Sequence, residues 1–353
     1  MTRIESVDIF RVIAIVAVIV IHTTPFEVDI ITANPTYNYL DLIFSHLSRF
    51  AVPFFFVISG YFWGAKVRNE SNPVPSSLFM SKRILIIFFA WCFIYLLPLN
   101  YTSIYEYGVF GTIYEHGLLG TTKLFYWKLI KVIQEPVILL MQGTKVHLWF
   151  LVGMLWALFI TTVFVHKKQI KLLVIFSIAL YLFGVLAKSY INTPLGINVE
   201  FNTRNGPFFS TLLFVTGYFL SGKAITTKWL TYGFIVFCVG TALHSIEIYI
   251  LWAVFETPTH QDFVFGTYFM GVGVAMAALS NHPSLKSKFF SKIGQMTLGI
   301  YAVHLLFVNL LWPIDKATDS ILWEIGYVIA VLSLSIITTH ILSKNKILNK
   351  IVV

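Results

Sequence analysis

The sequence predicts an all-α, polytopic integral membrane bundle of about ten transmembrane helices with both termini cytoplasmic. Three observations carry this. Apolar residues make up 57% of the chain and charged residues 12%, and the mean hydropathy of +0.79 is far from that of a soluble globule. Apolar runs of about twenty residues recur from end to end, and the separators are too short to build a second core. Finally, the basic residues favour alternate separators.

Ten runs read as spans: residues 7–25, 42–65, 84–100, 148–165, 172–191, 207–222, 229–251, 263–281, 294–313 and 321–342. With the amino terminus inside, the inner segments hold Arg3, Lys66, Arg68, Lys82, Arg83, Lys167, Lys168, Lys171, Lys223, Lys228 and the lysines of 286–292 and 344–350. The outer segments hold only Lys123, Lys128, Lys131, Lys145, Lys188, Arg204 and Lys316. The net charge of +9 is thus topology, and no nucleic-acid partner is expected. The first run lacks a small-residue cleavage site and reads as a retained helix, not a signal peptide. Residues 101–147, rich in tyrosine and with a short apolar stretch from Val137 to Met141, read as a surface-lying or re-entrant element. Cys92 and Cys238 lie in apolar runs without metal or redox spacing and are expected to be buried packing residues.

The first span carries the strongest functional signal. On a helix, Asp8, Arg11 and His22 fall within roughly 60° of one another, because eleven residues make about three turns. Ionisable groups inside a span are costly and ordinarily line a cavity or a partner helix. The competing reading makes Asp8 and Arg11 an interfacial pair and His22 a loop residue. Arg11 sits near the inner face and His22 near the outer one, about 16 Å away. In the second span His46 and Arg49 lie one turn apart near the outer end, and Pro53 is expected to interrupt the helix before Ser59-Gly60. No sequence feature supplies Ser59 with a base and an oxyanion hole, so a nucleophilic role is not favoured.

Further polar candidates share the outer half: His147 beside Trp149, Arg204-Asn205, and His244 with Glu247 one turn on. Glu247 could orient His244, or support His22 if the helices meet. His304, near mid-membrane, needs a partner. Trp149 is the aromatic chosen for sugar stacking; the other Trp and Tyr residues fit interfacial belts. The histidines show no metal spacing, and no metal is expected. A weak echo links Phe56-Val57-Ile58-Ser59-Gly60-Tyr61-Phe62 to Phe214-Val215-Thr216-Gly217-Tyr218-Phe219.

Asp8-x-x-Arg11 with Arg11-x10-His22, the run Phe54-Phe55-Phe56-Val57-Ile58-Ser59-Gly60-Tyr61, the pair Lys82-Arg83, and Gly299-Ile300-Tyr301-x-x-His304 come in an order that resembles the acyltransferase family 3 membrane proteins. The resemblance covers nearly the whole chain, read as a single domain, 1–353, with no appended soluble domain. It implies a bacterial inner-membrane enzyme of the cell envelope. Such an enzyme transfers an acyl group, most often acetyl, from cytoplasmic acyl-CoA to a hydroxyl of a surface polysaccharide or lipid-linked glycan. An imidazole suits removal of the hydroxyl proton near neutral pH, so His22 is the candidate general base, the role the motif also assigns it. Asp8, Arg11, Lys82, Arg83, Ser59, Gly60 and Tyr61 become candidates for the acyl-donor site. For Lys82 and Arg83, positive-inside anchoring is the alternative. His46, Arg49, His147, Trp149, Arg204, Asn205, His244, Glu247 and His304 become acceptor or cavity residues. A transporter using Arg11, His22, Arg49 and His304 as a polar path is the rival reading.

Overall fold

The computed structural model describes residues 3–27, 35–97, 122–123, 126–127, 129–130, 132–318 and 320–352. Among these there are thirteen continuous α-helices and no strand. They are α1 (Glu5–Thr23), α2 (Pro35–Ser48), α3 (Ala51–Val67), α4 (Val74–Leu96), α5 (Pro136–Gln142), α6 (Trp149–His166) and α7 (Ile170–Leu186), followed by α8 (Pro207–Leu220), α9 (Trp229–Phe255), α10 (Phe265–Leu279), α11 (Lys288–Gln295), α12 (Thr297–Ala317) and α13 (Ile321–Ser343). Among the described residues, seven stretches are long and apolar enough to cross a membrane, with Tyr39–Val67 counting as one. The apolar helices α7, α8 and α10, of 17, 14 and 15 residues, fall where the other three spans are predicted. Most of the tyrosine-rich segment predicted as surface-lying or re-entrant lies outside the described residues. Its far end is α5, whose Val137, Ile138 and Leu140 are exposed.

α1 is the hub. It packs against α2, α3, α10, α11, α12 and α13, and its buried residues Val7, Ile15, Val18 and Ile19 belong to an apolar cluster that extends to Val352. α9 and α13 lie at the periphery, with Phe234, Ile235, Trp252, Ile325 and Ile329 exposed. So broad an apolar surface is matched to lipid, not water. Cys92 is buried, whereas Cys238 is exposed, contrary to expectation, because it lies on this peripheral α9.

The echoed segments meet each other. A Cβ on Gly60 would strike the carbonyl of Phe214, and one on Gly217 would strike the carbonyl of Val57. Each glycine therefore sits against the carbonyl three residues before its counterpart. One turn on, Gly64 faces Ser221. This is a small-xxx-small crossing between α3 and α8, in which bare backbones approach closely and gain van der Waals contact that lipid cannot match. The likeness of the two sequences therefore has a packing cause.

The interruption of the second span is one turn earlier than predicted. α2 ends at Ser48, Arg49 and Phe50 form a turn, and Pro53 lies inside the first turn of α3. Proline has no N–H to offer the carbonyl four residues back, and its ring crowds that carbonyl. Here that carbonyl belongs to Arg49, so the chain breaks at Arg49.

Gly217→Val should collide with the backbone of α3 and cost about 1–3 kcal/mol or more, whereas Gly326→Ala, whose new Cβ meets nothing closer than 3.9 Å, should be close to neutral. Thermal unfolding of both variants in detergent checks this; equal melting would show that the crossing tolerates separation.

Candidate active site

The site has two ends joined by α1. At the first, the Asp8 carboxylate is 3% exposed and accepts from Arg3 Nε at 2.7 Å, Arg11 Nη1 at 3.2 Å and the Ser291 hydroxyl at 3.1 Å. A carboxylate this buried must be paired. Gly294 of α11 lies so close to the Asp8 backbone that a Cβ would clash, and Arg3 also donates to the Ser291 carbonyl. Asp8 thus pins α11 to α1 and fixes the guanidinium of Arg11.

Arg11 and Arg83 line a cavity of about 420 Å³. Its walls are largely apolar, including Phe55, Phe62, Ile84 and Phe150, with Ser59 on one side and Tyr301 at its far wall. The volume falls in the range of pockets for small molecules. Arg11 also lies over the Phe62 ring, 5.4 Å from its centroid.

Beyond Tyr301 three histidines converge from separate elements. His22 comes from the last turn of α1, His147 from the 3₁₀ turn Val146–Leu148 and His304 from α12. The His304 ring is 5.2 Å from those of both His22 and His147. The Tyr301 ring is 5.3 Å from His147 and 6.0 Å from His304, and its hydroxyl donates to the His147 carbonyl. His304 is fully buried, with Nδ1 2.6 Å from the Tyr301 carbonyl. A carbonyl can only accept, so Nδ1 carries a proton, and a neutral His304 keeps the Nε2 lone pair free. Among the described residues, Nε2 has no hydrogen-bond partner. Among the described residues no three His, Cys, Asp or Glu side chains converge as metal ligands.

Around the His22 end lies a cationic cluster. Asp262, in the loop before α10, faces Arg204 at 3.1 Å, Lys188 at 3.2 Å and Arg49 at 3.7 Å. Burial pushes the Asp262 carboxyl up, but the charges of Arg204, Lys188 and Arg49 outweigh it and hold the group below its ordinary value. Arg204 lies 5.0 Å over the Trp149 ring. Next to this cluster, His46 Nδ1 is 3.0 Å from His244 Nε2, and His244 Nδ1 is 3.0 Å from the Thr267 hydroxyl. His260 pairs with Asp41 at 3.1 Å, and that hydrogen bond raises its pKa.

A family model described as an acyltransferase domain matches residues 4–340. The chain belongs to acyltransferase family 3. It is 26% identical over 89% of its length to an amino-acid racemase of Enterococcus faecalis and 26% identical over 85% to a serine/alanine racemase of Enterococcus gallinarum. It spans only 42% and 40% of those two proteins. No solved structure matches the chain.

Within this acyltransferase 3 fold, the predicted site residues divide. Arg11, Arg83 and Ser59 line the cavity, and His22, His147 and His304 meet. Lys82 is exposed and outside the cavity lining. Asp8 is occupied by protein partners, Gly60 is spent on the α8 crossing, and Tyr61 borders a second cavity of about 410 Å³ with Ile4 and Ser280. Asn205 donates to Gln142. Trp149 is 7% exposed and already carries Arg204 on its ring, so sugar stacking would require displacing it. Glu247 joins neither His244 nor His22. It accepts from the amides of Phe265 at 3.1 Å and Gly266 at 2.6 Å, and from the Tyr190 hydroxyl at 2.7 Å, so its carboxylate caps the N-terminus of α10.

Sequence reasoning missed Asp262, Lys188 and Tyr301 as site residues. Tyr301 was in reach, being one turn before His304 on the same helical face. Asp262 offered no signal, since a lone loop carboxylate acquires its meaning only when three distant cations fold onto it.

Glu247→Ala should destabilise the protein by about 1–3 kcal/mol by orphaning buried amides, and Glu247→Gln, which retains an acceptor oxygen, should recover part of the loss. Comparing the melting of the two variants tests the cap; an Ala variant as stable as the parent would refute it.

Proposed function

We propose that the protein is an acyltransferase of the bacterial inner membrane. It moves an acyl group, acetyl in the simplest case, from cytoplasmic acyl-CoA to a hydroxyl of an envelope glycan or lipid-linked saccharide. In this reading the chain is one domain, α7, α8 and α10 also cross the bilayer to make ten spans, and both termini face the cytoplasm. The observation that carries it is the cavity that starts at Arg11 and Arg83 and ends at Tyr301, beside the histidine cluster. Two guanidiniums at a mouth suit the phosphates of CoA, and the apolar walls suit a pantetheine arm with its acyl group.

At the far end, the acceptor oxygen attacks the thioester carbonyl while His22 takes the hydroxyl proton. The carbon–sulfur bond then breaks, the acyl group stays on the acceptor oxygen, and CoA leaves as a thiolate that accepts the proton from His22. His304 is placed to position the His22 ring. Its own ring is fixed by the Tyr301 carbonyl, and its free Nε2 offers an acceptor in a region from which most water is excluded.

The names of the racemase relatives favour a second reading. A membrane unit resembling two fifths of proteins that act on amino acids could carry such a solute across the bilayer, with the same arginines and histidines as its path. Consumption of acyl-CoA separates the two.

With radiolabelled acetyl-CoA and membranes containing the protein, His22→Ala should lower transfer at least 10²-fold with donor binding retained, and Arg11→Ala should weaken donor binding about tenfold or more. Undiminished turnover by a folded His22→Ala protein would sink the assignment of the base. Solute uptake with no acyl-CoA consumption would establish the transporter in its place.

A further inference from the structure

The cluster at the His22 end is electrostatically incomplete. Among the described residues, Arg49, Arg204 and Lys188 bring three positive charges to a single carboxylate, Asp262. The side chains of Arg49 and Arg204 are 13% and 17% exposed, so their mutual repulsion is poorly screened. Asp41, whose charge reaches Arg49, has an oxygen engaged by His260, and Glu247 is committed to the α10 amides. Among the described residues, both guanidiniums also keep a buried Nε–H with no acceptor. A planar fork left with unused donors beside surplus charge fits an oxyanion, which takes parallel N–H bonds in the manner of a carboxylate.

Position ties this cluster to the chemistry. The charges of Arg204 and Arg49 act on His22, and Arg204 is held over Trp149, which neighbours His147 across one residue of chain. Lys188, at 30% exposed, leaves an approach from outside.

We propose that Arg49, Arg204 and Lys188 form the acceptor subsite and that the acceptor is anionic, its phosphate or carboxylate group bound by these cations while a hydroxyl of the same molecule reaches His22. This rests on the acyl-transfer reading for the use of the hydroxyl, but binding of the anion does not. Asp262 holds the three cations in place and competes with the ligand for them. A neutral sugar gains hydrogen bonds from the cluster but no ion pair, so charge is the discriminating feature between acceptors.

The test is equilibrium dialysis of the full chain in detergent micelles against radiolabelled glucose 1-phosphate, glucuronate and glucose, without acyl donor. One or both anions should bind at least tenfold more tightly than glucose, and the stronger of the two identifies the source as phosphate or carboxylate. Lys188→Gln, at the partly exposed edge of the cluster, and Arg204→Gln should each weaken the anion about tenfold while acetyl-CoA binding at the Arg11 end stays as in the parent. Equal binding of glucose and both anions, or anion binding unaltered in both variants, overturns the subsite. Anion binding that follows the variants in a protein that never transfers an acyl group would remove the acyl-transfer reading and leave the subsite standing. Transfer to neutral and anionic sugars at equal rates would do the reverse.

Discussion

The buried carboxylate of Asp8 is the interaction on which the rest of the site depends. A carboxylate at 3% exposure, left without partners, would leave an uncompensated buried charge and cost several kcal/mol. Two guanidiniums and a hydroxyl meet it, and in doing so they fix α1 against α11 and hold Arg11 at the rim of the cavity. Because α1 is one unbroken helix from Glu5 to Thr23, fixing Asp8 also fixes His22 about 16 Å further along. The distance between Arg11 and the histidines is therefore a property of a rigid rod, not of a loop. The packing of six helices around that rod then determines what meets His22.

Those helices solve a problem specific to lipid. Association gains little from the hydrophobic effect where the solvent is itself apolar, so close backbone contact and buried polar pairs must hold the bundle together. The reciprocal crossing of α3 and α8 through Gly60 and Gly217 is one such contact, and α9 meets α10 through Gly240 and Gly266 in the same way. Glu247 belongs to the same economy. α10 begins in the interior, and a carboxylate from α9 supplies the acceptor that its first amides need.

The helical bundle was legible because lipid-facing and core-facing surfaces are both apolar, which leaves long runs that only helices can satisfy. The Asp8, Arg11 and His22 face was legible too, since helical periodicity alone places them together. The break at Arg49 instead of Pro53 was a matter of reading proline's steric effect at the wrong residue: the clash falls on the carbonyl four positions back. Glu247 misled because its spacing to His244 allowed a pair, and only the tertiary position of α10 decided against it. The convergence of His22, His147 and His304, and of Arg49, Lys188 and Arg204 on Asp262, joins segments too far apart in sequence for any local pattern to report.

The lining of the cavity bears on the choice between transfer and transport. A polar solute crossing from Arg11 to the histidines would pass Phe55, Phe62, Ile84, Ile87, Phe150 and Leu298 with Ser59, Gln295 and Thr297 to replace part of its hydration, and each polar group left unsatisfied would cost roughly 1–3 kcal/mol or more. In the proposed transfer the methylenes and dimethyl group of the pantetheine arm would meet the apolar walls, its two amides and hydroxyl the polar side chains of Ser59, Gln295 and Thr297, and its charged head the guanidiniums. Charge is concentrated at the two ends of α1 and sparse between them. That distribution suits the proposed transfer, in which two substrates arrive from opposite faces and only an acyl group passes from one to the other.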